Sequence, residues 1–207
     1  LINMKYTIVI PALNEENYIG YLLDSLVDQS YKNFEVIVVD GKSEDATCEV
    51  VSGYSDKLDL KLLISPERGV AYQRNLGGEK AKSKELIFMD SDVRLDFDFL
   101  EKIHEYVMAK NPDIMSTWIT PFSDKFIDKV IFWFYYAIYC RMIKYVRPAT
   151  PGAFIYVKKE AFEHVNGFSK DLLFAEDADF STRVYKSGYK KYKMLKNPRV
   201  YVSMRRL

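Results

Sequence analysis

Leu86-Ile87-Phe88-Met89-Asp90-Ser91-Asp92 is the stretch on which the reading of this chain turns. An apolar run of strand character ends on two carboxylates spaced i, i+2. In a strand those positions share a face, and a tight turn at the strand end brings both acids to one point. Two hard oxygen donors there suit Mg2+ or Mn2+ held against a diphosphate. Asp-x-Asp occurs three times in the chain, and context separates the copies. Asp96 and Asp98 fall in the acidic first turn of a helix predicted to run to about Lys110. Asp177 and Asp179 fall inside a second helical pattern. Only Asp90 and Asp92 close a buried strand, where open α/β sheets hold their ligands.

Upstream of that stretch, strand and helix patterns alternate. Tyr6–Ile10 is β-branched and ends at Pro11. Asn14-Glu15-Glu16 opens a helix whose apolar positions Ile19, Leu22, Leu23, Leu26 and Val27 follow helical spacing. Phe34–Asp40 is the second strand, and Ser43-Glu44-Asp45 caps a helix over Ala46–Tyr54. Leu58–Ile64 is a third strand, Gly69–Lys82 a third helix and Glu85–Asp90 a fourth strand. Short connections between such units predict an α/β fold with a mostly parallel, doubly wound sheet. The loops Pro11–Glu15, Asp40–Asp45, Pro66–Gly69 and Asp90–Asp92 then share one sheet edge, where a nucleotide is expected.

Downstream the pattern is mixed. A helix is predicted over Phe97–Ala109, a strand over Ile114–Ile119 and a long aromatic helix over Ser123–Val146. Then come a strand at Gly152–Val157, a helix at Lys158–Val165, a helix at Glu176–Lys186 and strands at Tyr189–Leu195 and Val200–Ser203. No Pro/Gly/Ser linker and no repeat divides the chain. One domain over 1–207 is expected, with a nucleotide-binding half at 1–95 and an acceptor-binding half at 96–207.

The 207 residues are 48% hydrophobic, enough for a sizeable core. The net charge of +1 hides an asymmetry. Residues 1–103 carry 12 Lys and Arg against 19 Asp and Glu; residues 104–207 carry 18 against 10. A basic second half suits a diphosphate, a lipid phosphate or a membrane surface, or is a solvated Lys-rich face. No nucleic-acid partner is expected. Cys48 and Cys140 imply neither a disulfide framework nor zinc-ligand spacing, and no leader pattern precedes the first strand. A cytoplasmic location, with membrane association open, is expected.

Several chemistries have no anchor here. Gly-x-Gly-x-x-Gly, the P-loop and Gly-x-Ser-x-Gly are all absent. His104 and His164 stand alone on helix patterns and read as packing or surface histidines. The remaining candidates are carboxylates and arginines. Asp40 suits a nucleobase N–H or a turn before Gly41; Glu15 suits a ribose hydroxyl or helix first-turn charge. Arg68 and Arg74 flank a helix start and could meet a diphosphate. Glu176-Asp177 follows apolar Leu172-Leu173-Phe174, which would partly bury an acid able to act as general base.

These pieces, in order, resemble the GT-A fold, family 2 inverting glycosyltransferases. The carriers are Thr7–Glu16, Val38–Thr47, Arg68-Gly69 with Arg74-Asn75, Phe88–Asp92, Asn166-Gly167-Phe168, and Glu176–Phe180 with Arg183 and Gly188-Tyr189. The resemblance implies a nucleoside-diphosphate sugar donor of UDP or GDP type and a carbohydrate or polyprenyl-phosphate acceptor. It implies that Pro11, Leu13, Glu15, Asp40, Arg68, Arg74, Asp90 and Ser91 bind the nucleotide sugar. Asp90 and Asp92 would hold Mn2+ or Mg2+, Asp177 would be the catalytic base, and Glu176 and Arg183 would lie on the acceptor side. Many relatives carry a second acid where this chain has Gly41, which leaves the nucleobase open. A sugar-phosphate nucleotidyltransferase or a non-catalytic nucleotide-sugar-binding protein would share the sheet and the carboxylate pair. The first would want a basic Gly-rich loop where Pro11–Glu16 is acidic; the second would dispense with Glu176-Asp177.

The aromatic run Val130–Cys140, followed by Arg141, Lys144 and Arg147, is too short to span a bilayer, which takes about 20 residues. It reads either as a buried roof over the acceptor or a homodimer contact through 126–146, or as an interfacial helix on a membrane surface.

Overall fold

The computed structural model describes residues 6–122, 130, 132–134, 150–172 and 174–203. Among these described residues, eight strands join one sheet in the order β3-β2-β1-β4-β7-β6-β8-β5. The parallel part is β1 (Tyr6–Ala12), β2 (Phe34–Asp40), β3 (Leu60–Ile64) and β4 (Glu85–Met89). The mixed part begins where β7 (Phe154–Lys158) runs antiparallel to β4 and β6 (Ile114–Pro121) antiparallel to β7. β8 (Tyr192–Val202) then runs parallel to β6, and the two-residue β5 (Val93–Arg94) closes the far edge.

The central strands are buried on both faces, so their residues alternate between two cores. Ile8, Ile10, Val36, Val38, Ile87 and Met89 pack with helices α1 (Ile19–Val27), α2 (Thr47–Ser52) and α4 (Phe99–Lys110). Val9, Ile37, Val39, Leu86 and Phe88 pack on the other face with α3 (Val70–Lys80), α5 (Lys159–His164) and α6 (Glu176–Lys186). The sheet is therefore wound on both sides, as the alternating pattern predicts.

Some boundaries differ from expectation. β1 continues through Pro11 to Ala12. The Ala12 carbonyl turns toward β2, where it accepts the Gly41 N–H, so Pro11 turns toward β4. The ladder to β4 has already ended at Val9, and the N–H that proline lacks is not missed. α1 and α2 start later than predicted because Asn14–Glu16 and Ser43–Asp45 bond to each other instead. The two predicted last strands are one, passing through a cis Asn197–Pro198 bond with a register shift opposite Thr117–Ile119. β5 is too short to show a pattern. The aromatic helix predicted over Ser123–Val146 lies outside the described residues, apart from Val130 and residues 132–134, which are helical. His104 packs as expected, with its Nδ1 3.0 Å from the Tyr6 hydroxyl and its ring against Tyr31.

Candidate active site

Two loops at the C-terminal sheet edge are laced together. Asn14, left-handed at φ 55°, donates its N–H to Ser43 Oγ and accepts the Glu44 N–H at 2.8 Å. Glu16 donates its N–H to Asp45 and accepts the Ala46 N–H at 2.9 Å. The Glu15 N–H donates to Thr47 Oγ1 at 2.7 Å, and the residue is buried at the pocket wall. These side chains stand in for ladder bonds that end with β1 and β2.

A cavity of about 210 Å3 lies beside the laced loops. Pro11 lines it from the end of β1 and Leu13 and Glu15 from the loop that follows, Asp90 and Ser91 from the turn after β4, and Gly69, Val70 and Gln73 from the start of α3. The Gly69 end of α3 has no side-chain cap, so its first N–H groups and positive dipole end are available to an anion. Gln73 is buried and donates through Nε2 to the carbonyls of Ala12 and Val39, both at 2.7 Å. A Cβ on Gly41 would sit 3.1 Å from that amide. The glycine found where many relatives carry an acid thus fits against Gln73, a residue that sequence reasoning missed.

Arg74 ties the two ends of the site together. It is 2% exposed; its Nη2 donates to Asp90 Oδ1 at 2.8 Å and its Nη1 to Glu176 Oε1 at 2.9 Å. The guanidinium lies 5.2 Å from the centre of the Phe168 ring. Gly152 closes the group: a Cβ there would lie 2.8 Å from Arg74 Nη2 and 3.3 Å from Asp177 Oδ2. Asp177 opens α6 and accepts the Ala178 N–H at 2.8 Å. Burial pushes its carboxyl above the ordinary carboxylate range, with Glu176 and Asp90 adding to the rise while Arg74 opposes it. A carboxylate held less acidic than usual is a stronger proton acceptor.

The structure brings together Pro11, Leu13, Glu15, Asp90 and Ser91 at the cavity, and Arg74, Asp90, Glu176 and Asp177 around one guanidinium. Four candidates have partners of their own in this structure. Arg74 engages Asp90 and Glu176 through its two Nη atoms. Arg68 is half exposed and pairs with Glu44 and the Lys42 carbonyl, outside the cavity lining. Asp40 is buried, absent from that lining, and accepts both the N–H and the hydroxyl of Ser43. Arg183 is turned to Asp179 and to the carbonyls of Val165 and Gly167, bracing the end of α5. Asp177 also owes nothing to Leu172 and Phe174, which are exposed; Leu173 lies outside the described residues.

Among the described residues no group of three or more His, Cys, Asp or Glu is arranged to hold a metal. Asp90 and Ser91 line the pocket, and Asp92 follows them in the turn after β4. Only one Asp90 oxygen bonds to Arg74, and the aspartate pair offers oxygen donors alone. That set fits a hard divalent cation that keeps water or diphosphate oxygens as its other ligands.

Residues 7–165 match the family model described as glycosyl transferase family 2. The chain is similar to glycosyltransferase GlyA of Streptococcus pneumoniae, at 33% identity over 55% of this chain and 16% of that protein. It is equally similar to poly(ribitol-phosphate) beta-N-acetylglucosaminyltransferase TarS of Staphylococcus aureus, at 33% over 54% of this chain and 20% of that protein. The chain thus spans a fifth or less of these curated relatives. S. aureus TarS 1-349 in complex with UDP-GlcNAc superposes with a TM-score of 0.79 at 22% identity, over 98% of this chain and 59% of that one. The mannosyltransferase PcManGT of Pyrobaculum calidifontis, in complex with GDP-Man and Mn2+, gives 0.74 at 21%, over 95% and 56%.

Proposed function

We propose, for a chain that belongs to glycosyl transferase family 2 and has the GT-A fold, transfer of a sugar from a nucleoside-diphosphate donor to an acceptor with inversion at the anomeric carbon. One observation carries the reading: Arg74 joins the acid at the end of β4 to the acids opening α6, beside a pocket that meets an uncapped helix start.

The donor's nucleoside would enter between Pro11, Leu13 and Glu15, and its diphosphate would meet the first amides of α3. The acceptor hydroxyl attacks the anomeric carbon from the side opposite the diphosphate. Its proton passes to the Asp177 carboxylate as the new C–O bond forms, and the bond to the diphosphate oxygen breaks. Arg74 holds Asp90 and Glu176 in place and keeps Asp177 ionised enough to accept that proton. Gly152 leaves the room in which these groups meet. A Mn2+ or Mg2+ held by Asp90 and Asp92 would neutralise charge growing on the leaving diphosphate. Residues 1–95 would thereby serve the donor and 96–207 the acceptor, a carbohydrate hydroxyl or a polyprenyl phosphate. An acceptor that is already a phosphate has less need of the base.

The binding of UDP-GlcNAc by TarS and of GDP-Man with Mn2+ by PcManGT supports this donor class. The test is release of nucleoside diphosphate from UDP- and GDP-sugars, with and without Mn2+. Release that needs the cation and disappears in Asp177→Asn is expected. Pyrophosphate release from an NTP and a sugar phosphate would instead identify a nucleotidyltransferase, and binding with no turnover a carrier.

A further inference from the structure

A second cavity, of about 710 Å3, shares no lining residue with the donor-side pocket. Its floor is the outer face of α1, and its walls come from residues 94–97 and the ends of β6 and β8. The volume lies within the range of small-molecule sites, about 300–1,000 Å3.

Three large rings border it while facing water: Tyr21 is 53% exposed, Phe97 67% and Phe122 50%. Each lies on a different segment, so no single helix face accounts for them. Among the described residues Phe97 makes no ring contact. Tyr21 leans on Phe122 at 6.4 Å. Three carboxylates, Asp24, Asp28 and Asp96, stand among the rings with one cation, Arg94. Asp24 accepts the Tyr54 hydroxyl and Asp96 the Tyr201 hydroxyl, while Asp28 makes no side-chain hydrogen bond among the described residues.

That chemistry selects its ligand. Ionised carboxylates only accept, so the ligand must bring several O–H or N–H donors. Exposed aromatic faces take flat C–H surfaces, which a pyranose presents beside its hydroxyls. Three acids against one guanidinium repel phosphates and acidic sugars. The cation place on Phe122 is already filled by Arg94, 5.4 Å from the ring centre, which disfavours a basic peptide there. We propose that this cleft is a second carbohydrate site, for an uncharged oligosaccharide, separate from the donor pocket. Its recognition chemistry does not depend on the transfer reaction.

Backbone amide NMR on the full chain tests the assignment with chitotetraose, maltotetraose and cellotetraose as probes, against sulfated dextran and a lysine-rich peptide. At least one neutral tetrasaccharide should bind with a Kd of about 1 mM or tighter. It should move the amides of Asp28 and Phe97 and leave those of Glu15 and Ser91 still. Phe97→Ala, an exposed change that the fold tolerates, should weaken it about tenfold. UDP with Mn2+ should not displace it. Absence of binding by all three sugars, binding of the peptide or sulfated polymer alone, an unchanged Kd in Phe97→Ala, or competition by UDP would each overturn the proposal. UDP titrated into the same sample reports separately on the donor pocket, so the two readings fail independently.

Discussion

Arg74 is the residue whose position was least legible in the sequence. An arginine after a helix start reads as an open phosphate ligand; only the fold shows carboxylates from β4 and α6 on its two Nη atoms. Its partners lie 16 and 102 residues away, and no local pattern encodes such a meeting. Removing one member of a buried ion network costs about 3–5 kcal/mol because the others stay charged and unpaired. Arg74→Met should therefore lower the melting temperature markedly and, by removing the charge that opposes the rise in the Asp177 pKa, move the acid limb of the rate profile to higher pH. An unchanged melting temperature would remove its role as a strap. Asp177 gives a prediction of opposite sign. Burial raises its folded pKa above that of a free aspartate, so its contribution to stability is present below the free value and lost as pH rises through the folded pKa. At neutral pH the ionised carboxylate costs stability. Asp177→Asn should melt higher than the parent at pH 7, lose that advantage below about pH 4, and be inactive at both; calorimetry with an activity assay checks all three.

At the scale of elements, α3 is the hub. Its sequence has little amphipathic character, and the run Gln73-Arg74-Asn75 is polar, yet all three are buried. Each serves a different neighbour: Gln73 the ends of β1 and β2, Arg74 the carboxylates of Asp90 and Glu176, Asn75 the Phe168 peptide through two bonds of 2.8 and 2.7 Å. Periodicity could place the helix but not explain its polar residues, because their partners are backbone groups of other segments. Beneath Arg74, Phe168 stacks on Phe180 at 4.1 Å and meets Phe88 edge-on at 5.0 Å. Phe168→Ala should destabilise by about 3–5 kcal/mol, measurable by urea titration. It should also weaken catalysis more than Val184→Ala on the same α6 core, because Phe168 supports the guanidinium. Equal losses of activity at matched stability would contradict that. β2 and α6 were legible to the residue: one is a clean apolar run and the other is bounded by an acidic first turn and Gly188.

At the scale of the whole molecule, the parallel half was readable because β1, β2 and β4 are buried, mostly apolar runs that end at turns. The mixed half was not, since β8 contains Asn197-Pro198, which reads as a break, and β5 has only two residues. The sheet edge lies where the alternating pattern puts it, with Glu15, Asp90 and Ser91 lining its pocket. Asp40, Arg68 and Arg183 have partners in neighbouring backbone and side chains, which composition does not reveal. Among the described residues no helix is long and apolar enough to cross a membrane.

Thermal unfolding with UDP, GDP and their sugars, each with Mn2+ or EDTA, tests the central claim most directly. A ligand bound only by the folded chain adds about 2.7 kcal/mol at a hundred times its Kd. The parent and Asp177→Asn should both gain stability from one nucleotide with Mn2+, and Asp92→Ala should gain none. A gain that persists in Asp92→Ala, or no gain in the parent with any nucleotide, would contradict a donor diphosphate and cation held where β4 ends.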